Sequence, residues 1–339
     1  MRSRSVAAEM ARQSSTRMVV VGDRYVDALL EGRGLHYQVV AEEAELVRIC
    51  RETKPHVVVF DSLRFSQETV DEIRSTSMTV SLSPIFDRLN DVDLVFHRTV
   101  HLGQDWNLDR THGPEVRAGL QYSVIREQCV AIDEASYRRS LEQQPLSIVI
   151  SMGGADAGNK TLATLKAIQS VHRPLLIWAL LGEGYGHSYE GLVDCVRENK
   201  QHEIILAKTS DSMWRVMQTC ALAILAGGTI TYEAAFAGLP SINVFDDGKH
   251  VFLIRELVER GICISAGYPM ADAVDVVAAN LSHLESHRDE LWEMHQNAKG
   301  QVDASGARRI ATEIIESYWE RQGTGNRQQP LIRKAMNVA

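Results

Sequence analysis

Residues 147–161 read SIVISMGGADAGNKT, and this stretch decides the fold class. The apolar run Ser147–Ser151 predicts a buried strand, Gly153-Gly154 opens a turn, and a helix is expected to begin near Asn159. Glycines let a backbone approach a phosphate closely, and the first turn of a helix offers N–H groups and a favourable dipole. The stretch therefore predicts a phosphate loop, with a tight turn that binds no ligand as the alternative.

A second stretch repeats this order. Residues 220–245 read CALAILAGGTITYEAAFAGLPSINVF, in which a predicted strand precedes Gly227-Gly228, Thr229 and a helix that carries Glu233. A carboxylate near the start of that helix can accept both hydroxyls of a ribose. The alternative is a Thr-x-x-Glu capping box, which the spacing satisfies poorly because the residue three positions before the glutamate is isoleucine.

Short β-branched runs alternate with helical patterns along the whole chain, which indicates an α/β protein with parallel sheets. The strands predicted in the first half are Met18–Val21, Tyr37–Val40, Val57–Phe60, Met78–Leu82 and Leu94–Phe96. Those predicted in the second half are Ser147–Ser151, Leu175–Leu181, Ile204–Leu206, Leu222–Leu225 and Ile242–Phe245. We therefore expect an N-terminal Rossmann-like domain over 1–142, a nucleotide-binding domain over 146–320 and a loosely held tail over 321–339.

Composition excludes several classes of function. The 339 residues carry a formal net charge of -8, which does not favour nucleic-acid binding. The five cysteines are scattered without a CxxC pair, so neither a disulfide framework nor a zinc ribbon is indicated. The sequence lacks an apolar run of membrane-spanning length and a signal peptide, so a cytoplasmic location is expected, while the oligomeric state stays open.

Three segments, residues 113–128, 151–159 and 225–244, resemble the PseG family of UDP-sugar hydrolases in pseudaminic acid synthesis, which are relatives of MurG-type glycosyltransferases. The similarity runs from about Arg2 to Arg309, and its most specific parts are EVRAGLQYSVIRE at Glu115–Glu127 and the turn SMGGAD at Ser151–Asp156. The resemblance implies a GT-B fold, in which two Rossmann-like domains face a cleft and the C-terminal one holds UDP. It also implies a place in surface polysaccharide or nonulosonic acid biosynthesis.

The resemblance assigns roles to individual residues. It implies that the diphosphate and ribose of UDP are held by two loops and one further side chain: Gly153, Gly154, Asp156, Asn159, Gly227, Gly228, Thr229, Glu233 and His250. It implies that Asp61, at the end of a predicted strand, orients a water or a sugar hydroxyl. Tyr122 and Arg126 are further catalytic candidates, with packing at a domain junction as the alternative. His97 is a weaker candidate, because a lone histidine is more often structural than catalytic.

The N-terminus departs from the family pattern. In the family a first strand ends in a Gly-x-Gly-His loop that supplies a catalytic histidine, and here Met1 stands directly before the arginine of that motif. The resemblance therefore implies that the N-terminal sheet lacks its first strand and that the strands on either side of it are left unpaired. A start codon placed too late, or a true loss of the catalytic loop, would each explain this.

Three hypotheses follow for function. A UDP-sugar hydrolase would release UDP and free sugar with water alone, a GT-B glycosyltransferase would require a second hydroxylic acceptor, and a non-catalytic protein would bind the nucleotide-sugar without turnover. In the hydrolytic scheme the charge on the leaving UDP spreads into the glycine turns and helix N-termini, so no metal or other cofactor is expected.

Overall fold

A computed structural model of the chain describes residues 2–22, 36–62, 64–83, 86–103, 106, 108–109, 111–208, 213–268, 270–323 and 335–338. The chain divides into two compact units. We call the first one unit 1, which comprises residues 1–100, 104–126 and 304–339, and the second one unit 2, which comprises residues 101–103 and 127–303.

Unit 1 contains a seven-stranded sheet with helices. Its strands are β1 (Thr16–Val21), β2 (Tyr37–Val40), β3 (Val57–Phe60), β4 (Met78–Ser81), β5 (Leu94–His97), β6 (Glu115–Ala118) and β13 (Ala335–Val338). Its helices are α1 (Arg2–Ala11), α2 (Glu43–Thr53), α3 (Gln67–Arg74) and α12 (Gly306–Arg321), with 3₁₀ turns at Phe86–Asp91 and Leu120–Tyr122. The sheet order is β2-β1-β13-β3-β4-β5-β6, and every pair is parallel.

The last strand of the chain, β13, lies in the middle of this sheet. Thr16 to Val19 of β1 pair with Ala335 to Val338 on one side, and Val57 to Phe60 of β3 pair with the same four residues on the other. Met336 is only 2% exposed and packs in the core of the unit. The expectation that the neighbours of the missing strand are unpaired was therefore wrong, because β13 supplies the backbone partners of both. The expectation of a loose tail was also wrong for residues 335–338, while residues 324–334 lie outside the described residues.

Unit 2 contains a six-stranded parallel sheet. Its strands are β7 (Leu146–Ser151), β8 (Leu175–Leu181), β9 (Glu203–Lys208), β10 (Leu222–Ala226), β11 (Ser241–Val244) and β12 (Cys263–Gly267). Its helices are α4 (Glu134–Glu142), α5 (Lys160–Ile168), α6 (Glu190–Glu198), α7 (Met213–Met217), α8 (Thr229–Ala237), α9 (Arg255–Glu259), α10 (Met270–Ser286) and α11 (Arg288–Ala298). The sheet order is β12-β11-β10-β7-β8-β9.

Inner strands of both sheets are apolar and buried on both faces. Every residue of β3, β5 and β7 is buried, as expected for parallel strands with helices on each side. All ten strands predicted from the sequence are present, whereas β6, β12 and β13 were not predicted. The α/β class with two Rossmann-like parallel sheets is confirmed.

The observed division differs from the predicted boundaries at 142 and 320. Helix α4 belongs to unit 2, because Tyr137 is fully buried there and its hydroxyl donates to the carbonyl of Ala221 at 2.8 Å. Helix α12 belongs to unit 1, where Ile310 and Ile314 pack in one core cluster with Val6. Within the described residues, no helix is both long and apolar enough to cross a membrane.

Candidate functional site

The two glycine turns lie side by side at the carboxyl edge of the unit 2 sheet. Strands β7 and β10 are parallel neighbours in which Leu225 pairs with Ser151, and Gly153 and Gly227 each follow that pair by two residues. From β7 the chain adds β8 and β9 on one side and then β10, β11 and β12 on the other. The turns therefore flank the topological switch point, where open α/β sheets bind ligands.

The first turn has an open surface at its two glycines. Gly153 has a φ of +86°, a conformation that favours glycine. Both Gly153 and Gly154 are exposed, and a Cβ atom built on either would meet no atom within 4 Å. This turn therefore leaves room for a ligand to contact the backbone directly.

Asp156 caps the helix that follows this turn. Its Oδ1 accepts the backbone N–H of Lys160 at 2.8 Å, and its Oδ2 accepts that of Thr161 at 3.0 Å. The sequence predicted that the first N–H groups of α5 are available to a phosphate, and for these two residues the structure differs. Because the carboxylate takes both donors, the structure gives Asp156 a role in shaping the loop.

Three more side chains hold the first turn in place. Asn159 has a φ of +48° and its Oδ1 accepts the hydroxyl of Tyr185 at 2.9 Å. The Nε2 of His187 lies 2.7 Å from the carbonyl oxygen of Asp156. The side chain of Lys160 is 5% exposed, and its Nζ lies 2.8 Å from the carboxylate of Asp246. Lys160 was not among the residues predicted for the site, although it directly follows the predicted loop and brings a positive charge to it.

The turn that follows β8 supports the first glycine turn, and this contact was not predicted from the sequence. The backbone N–H of Gly184 donates to the carbonyl of Gly154 at 3.0 Å. A Cβ atom on Gly182 would lie 2.3 Å from the carbonyl oxygen of Gly154 and 2.6 Å from that of Gly153. The turn after β8 therefore packs directly beneath the first glycine turn, and only glycine fits at residue 182.

The second turn is shaped by packing. A Cβ atom on Gly227 would lie 2.0 Å from the ring of Phe245, so a side chain is excluded there. Helix α8 begins at Thr229, and its N-cap is Gly228, which has no side chain that could accept a hydrogen bond from the helix. The N-terminus of a helix suits an anion, because the first N–H groups of a helix have no partner within the helix.

The structure places Glu233 in the interior of unit 2. The residue is 0% exposed and is the fifth residue of α8, so the capping-box alternative does not apply. Its backbone carbonyl accepts the thiol of Cys129 at 3.4 Å. In the described conformation the carboxylate is therefore enclosed, and contact with a ribose requires a rearrangement around it.

His250, the other side chain predicted to contact the nucleotide, lies in the 3₁₀ helix Gly248–Ile254, with Nδ1 3.0 Å from Asp247.

In unit 1, Asp61 binds the start of the first helix. Its Oδ1 accepts the guanidinium of Arg2, with Nε at 3.2 Å, and its Oδ2 accepts the backbone N–H of Ser3 at 3.1 Å. Burial raises the pKa of Asp61, but the charge and hydrogen bonds of Arg2 and the N–H of Ser3 outweigh it, so that this pKa lies below its usual value. Asp61 is thus an ionised cap of α1 at the carboxyl end of β3.

We expect Asp61→Asn to lower the free energy of unfolding by about 1–3 kcal/mol at pH 7, because it leaves the half-buried guanidinium of Arg2 without a carboxylate. The folded-state pKa is depressed, so the carboxylate stabilises the protein above its unfolded pKa, and this stabilisation is lost as the pH falls through the folded-state pKa. Urea unfolding should therefore show a difference between wild type and variant that begins to shrink below about pH 4, the unfolded-state pKa, and vanishes once the pH is below the lower folded-state pKa. Asp71→Asn, at an exposed residue, is the control. A difference of equal size at pH 3 and pH 7 would contradict this assignment.

The other predicted catalytic residues of unit 1 are engaged in packing or hydrogen bonds. The hydroxyl of Tyr122 donates to Glu313 on α12 at 3.0 Å, and Arg117 donates to the same carboxylate at 2.7 Å. Burial, followed by the contact with Glu313, raises the pKa of Tyr122. His97 is 4% exposed and its ring packs edge-on against Trp106 at 4.8 Å. Arg126, the last residue of the segment 104–126 of unit 1, is half-buried. These contacts hold the side chains of Tyr122 and His97 in place, and the catalytic roles of Tyr122, Arg126 and His97 stay predictions.

The sequence was compared with family models, curated proteins and solved structures. No family model matches. An uncharacterised protein of Methanocaldococcus jannaschii is 23% identical over 73% of this chain and 52% of its own length. A UDP-N-acetylglucosamine--N-acetylmuramyl-(pentapeptide) pyrophosphoryl-undecaprenol N-acetylglucosamine transferase of Shewanella woodyi is 26% identical over 56% of this chain and 54% of its own length. The chain thus spans about half the length of these two relatives. The spore coat polysaccharide biosynthesis protein SpsG of Bacillus subtilis is 19% identical over 85% of both chains.

Solved structures match over nearly the whole chain. MurG of Acinetobacter baumannii superimposes with a TM-score of 0.56 at 14% identity, covering 89% of this chain and 99% of that one. The chain has the GT-B fold. A glycosyltransferase from Rickettsia africae matches with a TM-score of 0.60 at 12% identity, over 94% of this chain and 93% of that one. MnaA of S. aureus, solved with UDP, matches with a TM-score of 0.56 at 11% identity, over 91% of this chain and 97% of that one.

Proposed function

We propose that this GT-B protein is an enzyme of cell-surface polysaccharide biosynthesis that binds a UDP-sugar through the glycine turns of unit 2. The observation that carries the proposal is the position of Gly153-Gly154 and Gly227-Gly228 after the adjacent strands β7 and β10, at the switch point of the sheet. Exposed backbone at the first turn and the N-terminus of α8 after Gly228 suit the two phosphates of a nucleoside diphosphate. MnaA, which shares the fold, was solved with UDP.

Within this proposal, the first turn contacts the diphosphate and Lys160 neutralises part of its charge. The Nζ of Lys160 is paired with Asp246, which is mostly exposed, and a phosphate that took the place of this carboxylate would keep the buried ammonium paired. Asp156, Asn159 and the turn after β8 fix the loop but do not contact the ligand. Thr229 and the start of α8 are the second set of donors. Glu233 would accept the ribose hydroxyls only after the rearrangement described above.

Isothermal titration of the full chain with UDP tests the binding site. We expect Gly154→Ala to weaken UDP binding at least tenfold, because a methyl group would fill the space that the phosphate requires. The thermal unfolding temperature should stay within about 1 °C of the wild-type value, because that methyl group contacts no protein atom within 4 Å. Gly186→Ala is the matched control, since a Cβ there meets only one atom, 3.9 Å away. Unchanged UDP affinity in Gly154→Ala would overturn the proposed site.

For the reaction, we propose hydrolysis of the UDP-sugar, on the basis of the EVRAGLQYSVIRE segment and its resemblance to UDP-sugar hydrolases. Transfer to an acceptor is the second candidate, supported by the similarity to the Shewanella woodyi transferase. The two are separated by measuring UDP release from UDP-N-acetylglucosamine, first in water and then with added acceptor alcohols. Release in water alone supports hydrolysis, and release only with an acceptor supports transfer. Binding without release in either condition would contradict both candidates and favour a non-catalytic binding protein.

A further inference from the structure

Two histidines and one glutamate come together where helices α10 and α11 meet. His283 lies in the last turn of α10, His287 is the N-cap of α11, and Glu290 lies in the first turn of α11. One ligand atom from each side chain lies within 4.8 Å of the others. These residues belong neither to the glycine turns nor to any segment that the sequence analysis selected.

The hydrogen bonds at this junction prepare the two imidazoles as ligands. The Nδ1 of His287 lies 2.9 Å from the carbonyl oxygen of His283, and because a carbonyl only accepts, Nδ1 carries the proton. The Nε2 of His287 is then left with a lone pair, which is the arrangement that fixes the tautomer of a metal-binding histidine. The two imidazole rings stack with centroids 4.2 Å apart, so both rings face the same side of the helix junction.

The third side chain completes a donor set that transition metals prefer. The Nε2 of His283 lies 2.7 Å from Oε1 of Glu290, so a single proton is shared along that line. A divalent cation can replace this proton and bind both atoms. Two imidazole nitrogens and one carboxylate oxygen, with water at the fourth position, match the coordination of Zn²⁺. The three side chains are at least partly exposed, so an ion can reach them from solvent.

The local charges do not oppose a cation. Arg288 is the basic residue between His287 and Glu290, and its guanidinium is bound to Glu285 at 2.8 Å and to backbone carbonyls of the segment before β7. Asp289 and Glu293 add negative charge to the same stretch of α11. Attraction of a divalent cation to this surface is therefore favoured.

We propose that His283, His287 and Glu290 form a surface zinc site that clamps the junction of α10 and α11. Helix α10 packs against α5, and α11 packs against α8, the two helices that follow the glycine turns. A metal at the junction thus stabilises the layer that supports these helices. It acts through structure and takes no part in the reaction proposed above, so it can be tested whether or not UDP binds.

Titration of the metal-free full chain with ZnCl₂, followed by calorimetry and by thermal unfolding, tests this site. We expect one equivalent of zinc to bind and the unfolding temperature to rise by roughly 5 °C at saturating zinc, because the ion binds only the folded protein. The double variant His283→Ala/His287→Ala should lose at least tenfold in zinc affinity and lose the temperature shift.

Two further variants distinguish zinc binding by this three-residue cluster from non-specific zinc binding by any exposed histidine. Glu290→Gln keeps both imidazoles and the helix junction, and we expect an intermediate zinc affinity. His112→Ala removes a histidine that is 83% exposed and lies in unit 1, and it should bind zinc as the wild type does. Zinc affinity unchanged in the double variant, or absence of zinc binding by the wild type, would overturn the proposal.

Discussion

Replacing Met336 by alanine is expected to lower the free energy of unfolding of unit 1 by about 2–5 kcal/mol. Met336 is 2% exposed in β13, and its sulfur lies 3.6 Å from the Sγ of Cys50. The strand pairs on both edges, with β1 and with β3. A cavity at this residue loosens the central strand, and therefore the backbone hydrogen bonds of both neighbours.

Urea unfolding combined with amide hydrogen exchange measures this effect. Amides of β1 and β3 should exchange faster in Met336→Ala, whereas amides of β7 in unit 2 should not change. Met336→Leu is the matched control, because a swap that conserves volume costs less than about 1.5 kcal/mol. If the alanine variant unfolds like the wild type and its β1 and β3 amides exchange at wild-type rates, β13 does not occupy the centre of the sheet in solution.

The contrast between β7 and β13 shows what local sequence can predict. The run from Leu146 to Ser151 is wholly buried and is followed by two glycines, so strand and turn are encoded within a few residues. The strand at Ala335–Val338 has no such signal, because its place depends on β1 and β3, which lie more than 270 residues earlier. A tail rich in Gln, Asn and Gly predicted looseness, and pairing with distant strands overrode it.

The candidate site shows the same division between local and long-range information. The start of α5 after Asn159 is a local feature and was predicted from the sequence. The contacts of Asp156 with the N–H groups four and five residues ahead could not be read in this way, because an N-cap side chain accepts from two or three residues ahead. The contact of Gly182 with the first glycine turn could not be read either, because it joins the ends of two adjacent strands. Nor could sequence show that Glu233 is enclosed, since burial depends on everything that packs around α8.

Replacing Gly182 by alanine is the second change for which we expect a large effect. The new Cβ would lie 2.3 Å from the carbonyl oxygen of Gly154, and backbone atoms cannot turn aside as a flexible side chain can. The first glycine turn must therefore shift, and we expect a loss of about 1–3 kcal/mol in the free energy of unfolding of unit 2. If this turn holds the diphosphate, UDP affinity should fall at least tenfold as well, which titration calorimetry measures.

Gly182→Ala changes the shape of the first glycine turn, whereas Gly154→Ala only fills the space in which a ligand would lie. Comparing the two variants distinguishes these two effects on UDP binding. The first variant should lose both stability and UDP binding, whereas the second should lose UDP binding alone, because its methyl group meets no protein atom. Gly186→Ala lies in the segment that follows β8 and should lose neither. A Gly182→Ala variant that is destabilised but binds UDP with wild-type affinity would show that the turn packs as described without holding the nucleotide. The phosphate site would then have to lie elsewhere on the sheet.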